Sequence, residues 1–234
     1  MGFNPMWGME PGFMMFFLIA MLIPLAAQGY LMATYGRYKR VRANSGLTGH
    51  DIARRLLDRN GLYDVRVLEA SGRLSDHYDP RSRTVSLSHD VYSQATIVAT
   101  SIAAHEVGHA IQHAENYAPL KLRSAFVPVV NIANRFGFLI IIFGLIMEAF
   151  FLVEIGIILI ASLVVFQLIT LPVEFNASTR AMTQLNDMNI LYDHSESRGA
   201  RKVLTAAALT YVAALIIALM QLLRWVMILN RRRN

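Results

Sequence analysis

Apolar residues fall into four long blocks, and polar ones gather mainly between the first and second. Residues 13–33 form a run of the length needed to cross a bilayer, about 20 residues. A second block covers 126–147, although Asn131, Asn134 and Arg135 make its first turns polar. A third, 155–171, follows a short link bounded by Glu148 and Glu154, so the two predict a helical hairpin in the membrane. The fourth, 203–229, is interrupted only by Gln221 and Arg224. Between the first two blocks, residues 35–123 predict a small α+β domain. There Thr48 reads as a helix N-cap and Gly61 as the stop of that helix. Residues 65–68 and 84–88 read as short strands separated by the turn-rich Ser75-Asp-His-Tyr-Asp-Pro80, and 94–114 as a helix. Pro172 marks the end of the third span, and 173–189 reads as a polar helical segment.

The expected fold is therefore a mainly α membrane protein with about four transmembrane helices. Its parts are an anchor (1–34), the polar domain (35–123), the hairpin (124–172), the polar segment (173–202) and a last apolar helix (203–234).

Composition supports this division. The chain has 234 residues, 55% of them hydrophobic and 16% charged, where a soluble domain carries about a quarter charged residues. The formal net charge of +6 comes largely from Arg/Lys clusters beside apolar runs, at 37–42 and 231–233. Such clusters report topology and contact with anionic lipid headgroups. No basic groove with interleaved aromatics is present, so nucleic acid is not an expected partner. With no cysteine, a disulfide scaffold and a thiolate metal site are excluded. The first block competes with a cleaved signal peptide, since Ala26-Ala27 resembles a cleavage site. However, Glu10 and no Lys or Arg precede it, which favours an uncleaved anchor.

Arg37, Lys39, Arg40 and Arg42 place the polar domain in the cytoplasm and the N-terminus outside. Four crossings put Lys121, Arg123, Arg180, Arg198, Arg201 and Lys202 inside as well, and residues 231–233 outside, against the charge tendency. A last helix lying in the interface removes that conflict, and both arrangements stay open.

The chemistry is concentrated in His105-Glu-Val-Gly-His109. On a helix the two histidines share one face and can hold one zinc ion between them. Glu106, offset by about 100°, stands beside the ligands, where it can take a proton from a water that zinc activates. The plain alternative is a helix that happens to carry two histidines. A catalytic zinc needs a third protein ligand and an open position. His113 lies on a neighbouring face, and three successive imidazoles along one straight helix would strain the geometry. Glu174 is the better candidate, because the hairpin returns the chain to the surface where the motif helix ends. Its ordinary role would be a carboxylate at a helix N-terminus.

His105-Glu-Val-Gly-His-Ala-Ile-Gln-His113, Ser75-Asp-His-Tyr-Asp-Pro80 and Leu171-Pro-Val-Glu-Phe-Asn-Ala-Ser-Thr-Arg-Ala181 together resemble the YugP-type membrane zinc metallopeptidases of bacteria. The likeness covers almost the whole chain. More distantly the layout resembles the HtpX and CAAX prenyl protease group, whose zinc is bound by two motif histidines and a downstream Glu. In that group the Glu opens a Glu-x-x-x-Asp pattern; here Glu174 is followed by Ser178 at the acidic position. Ser178 or Asn176 is then the candidate to orient a ligand histidine.

The resemblance implies proteolysis at the bacterial inner membrane, with one zinc per chain in a gluzincin-like site. The residues alone imply only zinc-activated water. Candidate donors to the developing oxyanion are His77, Arg180, Tyr192 and His194, each with an ordinary surface or capping role as the alternative. The strand at 83–88 is a candidate edge for an extended peptide. The expected substrates are membrane proteins or membrane-proximal segments, cut at the cytoplasmic face. Gly137 and Gly144 also allow close helix association, as in a homo-oligomer. The rival functions are a non-catalytic zinc-binding scaffold and a zinc hydrolase of a lipid amide or ester.

Overall fold

In the computed structural model residues 11–233 are described, with side chains for 18–230. Glu10 and the side chains at 231–233 lie outside the described residues. Thr48 caps helix α2 (Gly49–Arg59), its hydroxyl accepting from Asp51 N while Asp51 accepts from Thr48 N. This reciprocal box satisfies two amides that a helix start leaves unpaired. Gly61, at φ +70°, takes the left-handed conformation that ends the helix. Helix α1 (Pro11–Tyr38) precedes it.

Three strands follow: β1 (Arg66–Ala70), β2 (His77–Asp79) and β3 (Thr84–Ser88). β2 lies inside the segment expected to be a turn, since three residues are too few to show alternation. The sheet order is β1-β3-β2, with β3 parallel to β1 and antiparallel to β2. The expectation that residues 83–88 form a free edge is therefore wrong. Thr84, Val85, Leu87 and Ser88 are buried, so β3 takes the middle, and the polar β2 takes the edge.

After the single turn of α3 (His89–Ser93), Thr96 caps the motif helix α4 (Ile97–Ala114) by accepting from Ala99 N. The helix starts three residues later than expected because Gln94 is extended. α4 runs through the centre of the core, among Ile52, Leu56 and Leu57 of α2, Val85 and Leu87 of β3, and Leu185 further on.

The rest is α5 (Ala118–Ile146), α6 (Phe150–Asp187) and α7 (His194–Arg233). Among the described residues, four helices (α1, α5, α6 and α7) are long and apolar enough to cross a membrane. Pro172 does not end α6: the third span and the polar segment form one 38-residue rod, about 57 Å long. α7 likewise joins residues 194–202 to the last apolar block. Gly137 and Gly144 face α6 of the same chain, against Ile160 and Val153, so both serve the hairpin. Its outer faces stay apolar, with Leu139 59%, Phe143 57% and Ile158 68% exposed. Such a surface suits lipid and would be costly in water.

Candidate metal centre

α4 and α6 cross closely at Gly108, where a Cβ would lie 2.7 Å from Ala177 O. One turn before Ala177, that crossing sets Glu174 beside the two histidines. Glu174 Oε2 is 3.3 Å from His105 Nε2 and 3.6 Å from His109 Nε2. Two metal bonds of about 2.0–2.1 Å at a tetrahedral angle would separate their ligand atoms by about 3.4 Å. Both separations from Glu174 match that value and all three ligand atoms lie within 4.8 Å of one another, so the three side chains can hold one ion. They are only 14%, 12% and 3% exposed, in the order His105, His109, Glu174. A buried carboxylate between two imidazoles is the donor set a divalent cation satisfies.

The other ring nitrogens are also occupied. His109 Nδ1–H donates to Gln112 Oε1 at 3.0 Å, and His105 Nδ1 is hydrogen-bonded with Ser178 Oγ at 3.2 Å. With Nδ1 engaged on each ring, Nε2 is the nitrogen directed at Glu174. Gln112 is fully buried and donates to Val173 O and to Asn176 Oδ1. Behind it, Arg180 Nε donates to Asn176 Oδ1 at 2.7 Å while its guanidinium pairs with Glu115. Asn176 therefore holds Gln112, and Ser178 itself meets a histidine where the HtpX-type pattern has an acid. Gln112 was not anticipated from sequence, although its three-residue spacing from His109 places the two side chains together on a helix.

A family model described as "Putative neutral zinc metallopeptidase" matches residues 13–230. The chain belongs to this family. It is 49% identical over 208 residues to the "Putative membrane protease YugP" of Bacillus subtilis strain 168, covering 89% of this chain and 92% of that protein. No solved structure matches it.

The protein has a cavity of about 330 Å³ lined by the three residues. One wall is the stretch from Asp76 to Arg81, which includes β2. The rest of the lining includes Leu120, Arg123, Ser124 and Val127 of α5 and Tyr211 of α7. Glu106 lies at its floor, 8% exposed. Burial holds its carboxyl above the ordinary range, with His105 and His109 pulling the other way. Of the candidate oxyanion donors only His77 lines this cavity, its Nδ1–H donating to Ser75 O. Arg180, Tyr192 and His194 are not in the lining. Arg180 is committed to Glu115, Tyr192 is exposed with its amide on Glu196, and His194 opens α7. His113 is bonded to the Tyr78 hydroxyl at 2.9 Å and stands apart from the triad.

Three polar lining residues were missed. Arg123 Nη1 donates to Glu174 Oε1 at 3.0 Å, tying down the oxygen that faces away from the histidines. Tyr211 sits in an apolar helix with no local pattern to single it out. Asp76 joins them, accepting from Ser88 N and Oγ, with its carboxyl raised by burial.

Proposed function

We propose that this protein is a membrane-embedded zinc endopeptidase in which His105, His109 and Glu174 hold one zinc ion and Glu106 is the general base. The observation that carries this reading is the convergence of three ligand atoms within 4.8 Å of one another, in a cavity that also holds Glu106. Zinc, when bound, polarises the substrate carbonyl and brings the pKa of water towards about 7. Glu106, made more basic by burial, accepts the proton of the attacking water and delivers it to the amine nitrogen as the C–N bond breaks. Ser178 and Gln112 fix the imidazoles, and Arg123 fixes Glu174. Arg123, which lines the cavity, has N–H groups beyond the one given to Glu174 to offer to the carbonyl oxygen as it gains charge.

β2 supplies the edge on which an extended peptide pairs, correcting the assignment to residues 83–88. Membrane or membrane-proximal proteins are the substrates, because one wall of the cavity comes from α5 and α7, both long enough to span. The cytoplasmic face is favoured by Arg37, Lys39, Arg40 and Arg42 at the end of α1 nearest this domain.

The test is cleavage of a membrane-protein substrate by the full chain reconstituted with zinc, beside metal analysis. The expected result is one zinc per chain, with activity lost on chelation and in Glu106→Gln. Equal cleavage by Glu106→Gln and the unaltered chain removes Glu106 from the mechanism. Tightly held zinc with no cleavage leaves a scaffold, and hydrolysis of a lipid ester or amide alone replaces the peptide.

A further inference from the structure

The catalytic cavity does not end at its own walls. A second basin of about 370 Å³ adjoins it, and the two share Pro80, Arg81, Leu120 and Ser124. Together they form one groove whose far end is lined by His113, Asn116, Tyr117 and Lys121.

The groove differs in charge along its length. The catalytic end carries Glu106, Glu174, Asp76 and Asp79: Glu174 is paired with Arg123, whereas Asp76 and Asp79 accept only from neutral groups, Ser88 for the first and Ser82 with the Arg81 amide for the second, and Asp79 also feels the Arg81 guanidinium. The far basin has two cationic side chains, Arg81 and Lys121, and no acid in its lining. Glu115, close in sequence, is paired with Arg180 at 2.7 Å. Among the described residues, no ion pair joins the side chain of Arg81 or of Lys121. The two cations come from different elements, Arg81 from the turn after β2 and Lys121 from the first turn of α5. His113 adds no counter-charge and is held by Tyr78, which ties the edge strand to α4. An anion entering the basin meets two cationic side chains and no acid in the lining, at the strength expected of exposed charges.

We propose that this basin is a specificity subsite for an acidic side chain of the substrate, bound between Arg81 and Lys121. The proposal rests on the peptidase reading of the adjoining site. A peptide is favoured over a lipid headgroup by continuity. β2 lines the catalytic cavity and leads through Asp79 and Pro80 to Arg81, so a chain paired on that edge is carried from one end of the groove to the other.

The test uses the full chain with zinc in nanodiscs of phosphatidylcholine and fluorogenic peptides carrying Glu or its isostere Gln at each position around the scissile bond. At one position Glu should be preferred about tenfold in kcat/KM, through KM, as expected of two exposed ion pairs. Arg81→Gln with Lys121→Gln should bring that ratio to about one, and Arg81→Glu with Lys121→Glu should invert it in favour of Lys. Binding of the same peptides to zinc-loaded Glu106→Gln protein should show the same order without turnover. A ratio near one at every position, or one that charge reversal leaves unmoved, overturns the subsite. So does the pattern of a lipid site: no Glu preference, with Arg81- and Lys121-dependent binding of phosphatidylglycerol over phosphatidylcholine. If no peptide is cleaved but the binding order holds, the peptidase reading falls and the acidic subsite stands.

Discussion

The two halves of α6 follow the same helical spacing with different partners. In the first, Val153, Gly156, Ile160 and Val164 are buried in the hairpin with α5, while Ile158 and Leu168 stay more than half exposed. In the second, Thr170, Val173, Glu174, Ala177, Ala181 and Leu185 are buried, and Glu174 meets His105 on α4 and Arg123 on α5. Helix starts differ in the same way. α2 and α4 begin at threonine caps, whereas α5 and α6 have no side-chain bond at theirs. The hairpin needs shape alone, since lipid accepts whatever apolar surface is left over. The lower half needs direction, because three ligand atoms must share one point. A single rigid rod lets the membrane portion set the height at which that point lies.

The largest expected effects fall on the site that the lower half of α6 builds with α4. Glu106→Gln should lower kcat by about 10²–10⁴-fold with zinc content unchanged. Glu174→Ala should lose zinc as well, read by competition with a chelator. A Glu106→Gln protein that no longer holds zinc would make Glu106 a structural residue.

The two glycine crossings test the contrast directly. At Gly108 a Cβ would lie 2.7 Å from Ala177 O, and at Gly156 it would overlap Ile141 and lie 2.9 Å from Gly137 O. Both Gly108→Val and Gly156→Val should destabilise by about 1–3 kcal/mol through overpacking. Only Gly108→Val should weaken zinc binding tenfold or more, because Gly156 is about 27 Å along the rod from Glu174. Loss of zinc from both variants would show that the halves are not separable.

What was legible in the sequence follows the same divide. The four apolar blocks and the two histidines are local patterns, readable from composition and a four-residue spacing. Glu174 was reachable because a hairpin must bring the chain back to the surface it left. Arg123 and Tyr211 were not, since each enters the site from a helix whose own pattern reports only its passage through the membrane. β2 was hidden by its length, and β3 was misplaced at the edge because pairing order is not encoded in any single strand. Pro172 misled for a physical reason: a proline removes one helical hydrogen bond, and a rod packed along its length on its neighbours survives that loss.

The orienting bonds should give intermediate effects. Gln112→Ala and Ser178→Ala should each weaken zinc binding by about 10–100-fold, the range for groups that hold a ligand histidine. Gln112 should cost more, because it is fully buried and also joins α4 to α6 through Val173 O and Asn176. Ser178→Asp tests whether an acid at that position gives a stronger hold on His105, with tighter zinc binding as the expected outcome. Equal affinity would mean that the hydroxyl already fixes the ring.

The smallest effect concerns the caps, which the lower domain has and the hairpin lacks. Thr48→Ala should cost about 0.5–2 kcal/mol, seen as faster amide exchange along α2. The bond from the Thr48 hydroxyl holds the Asp51 carboxyl below its ordinary range, against a smaller opposing effect of burial. A carboxyl depressed on folding contributes stability that is complete above its unfolded value, about 3.9, and is lost as pH falls through the folded one. The difference in α2 exchange between the unaltered chain and Asp51→Asn should therefore be constant near neutrality and shrink as pH drops below about 3.9. The start of α5, with no such carboxylate, should show no matching pH dependence; if it does, helix ends in the two regions are held by the same kind of interaction after all.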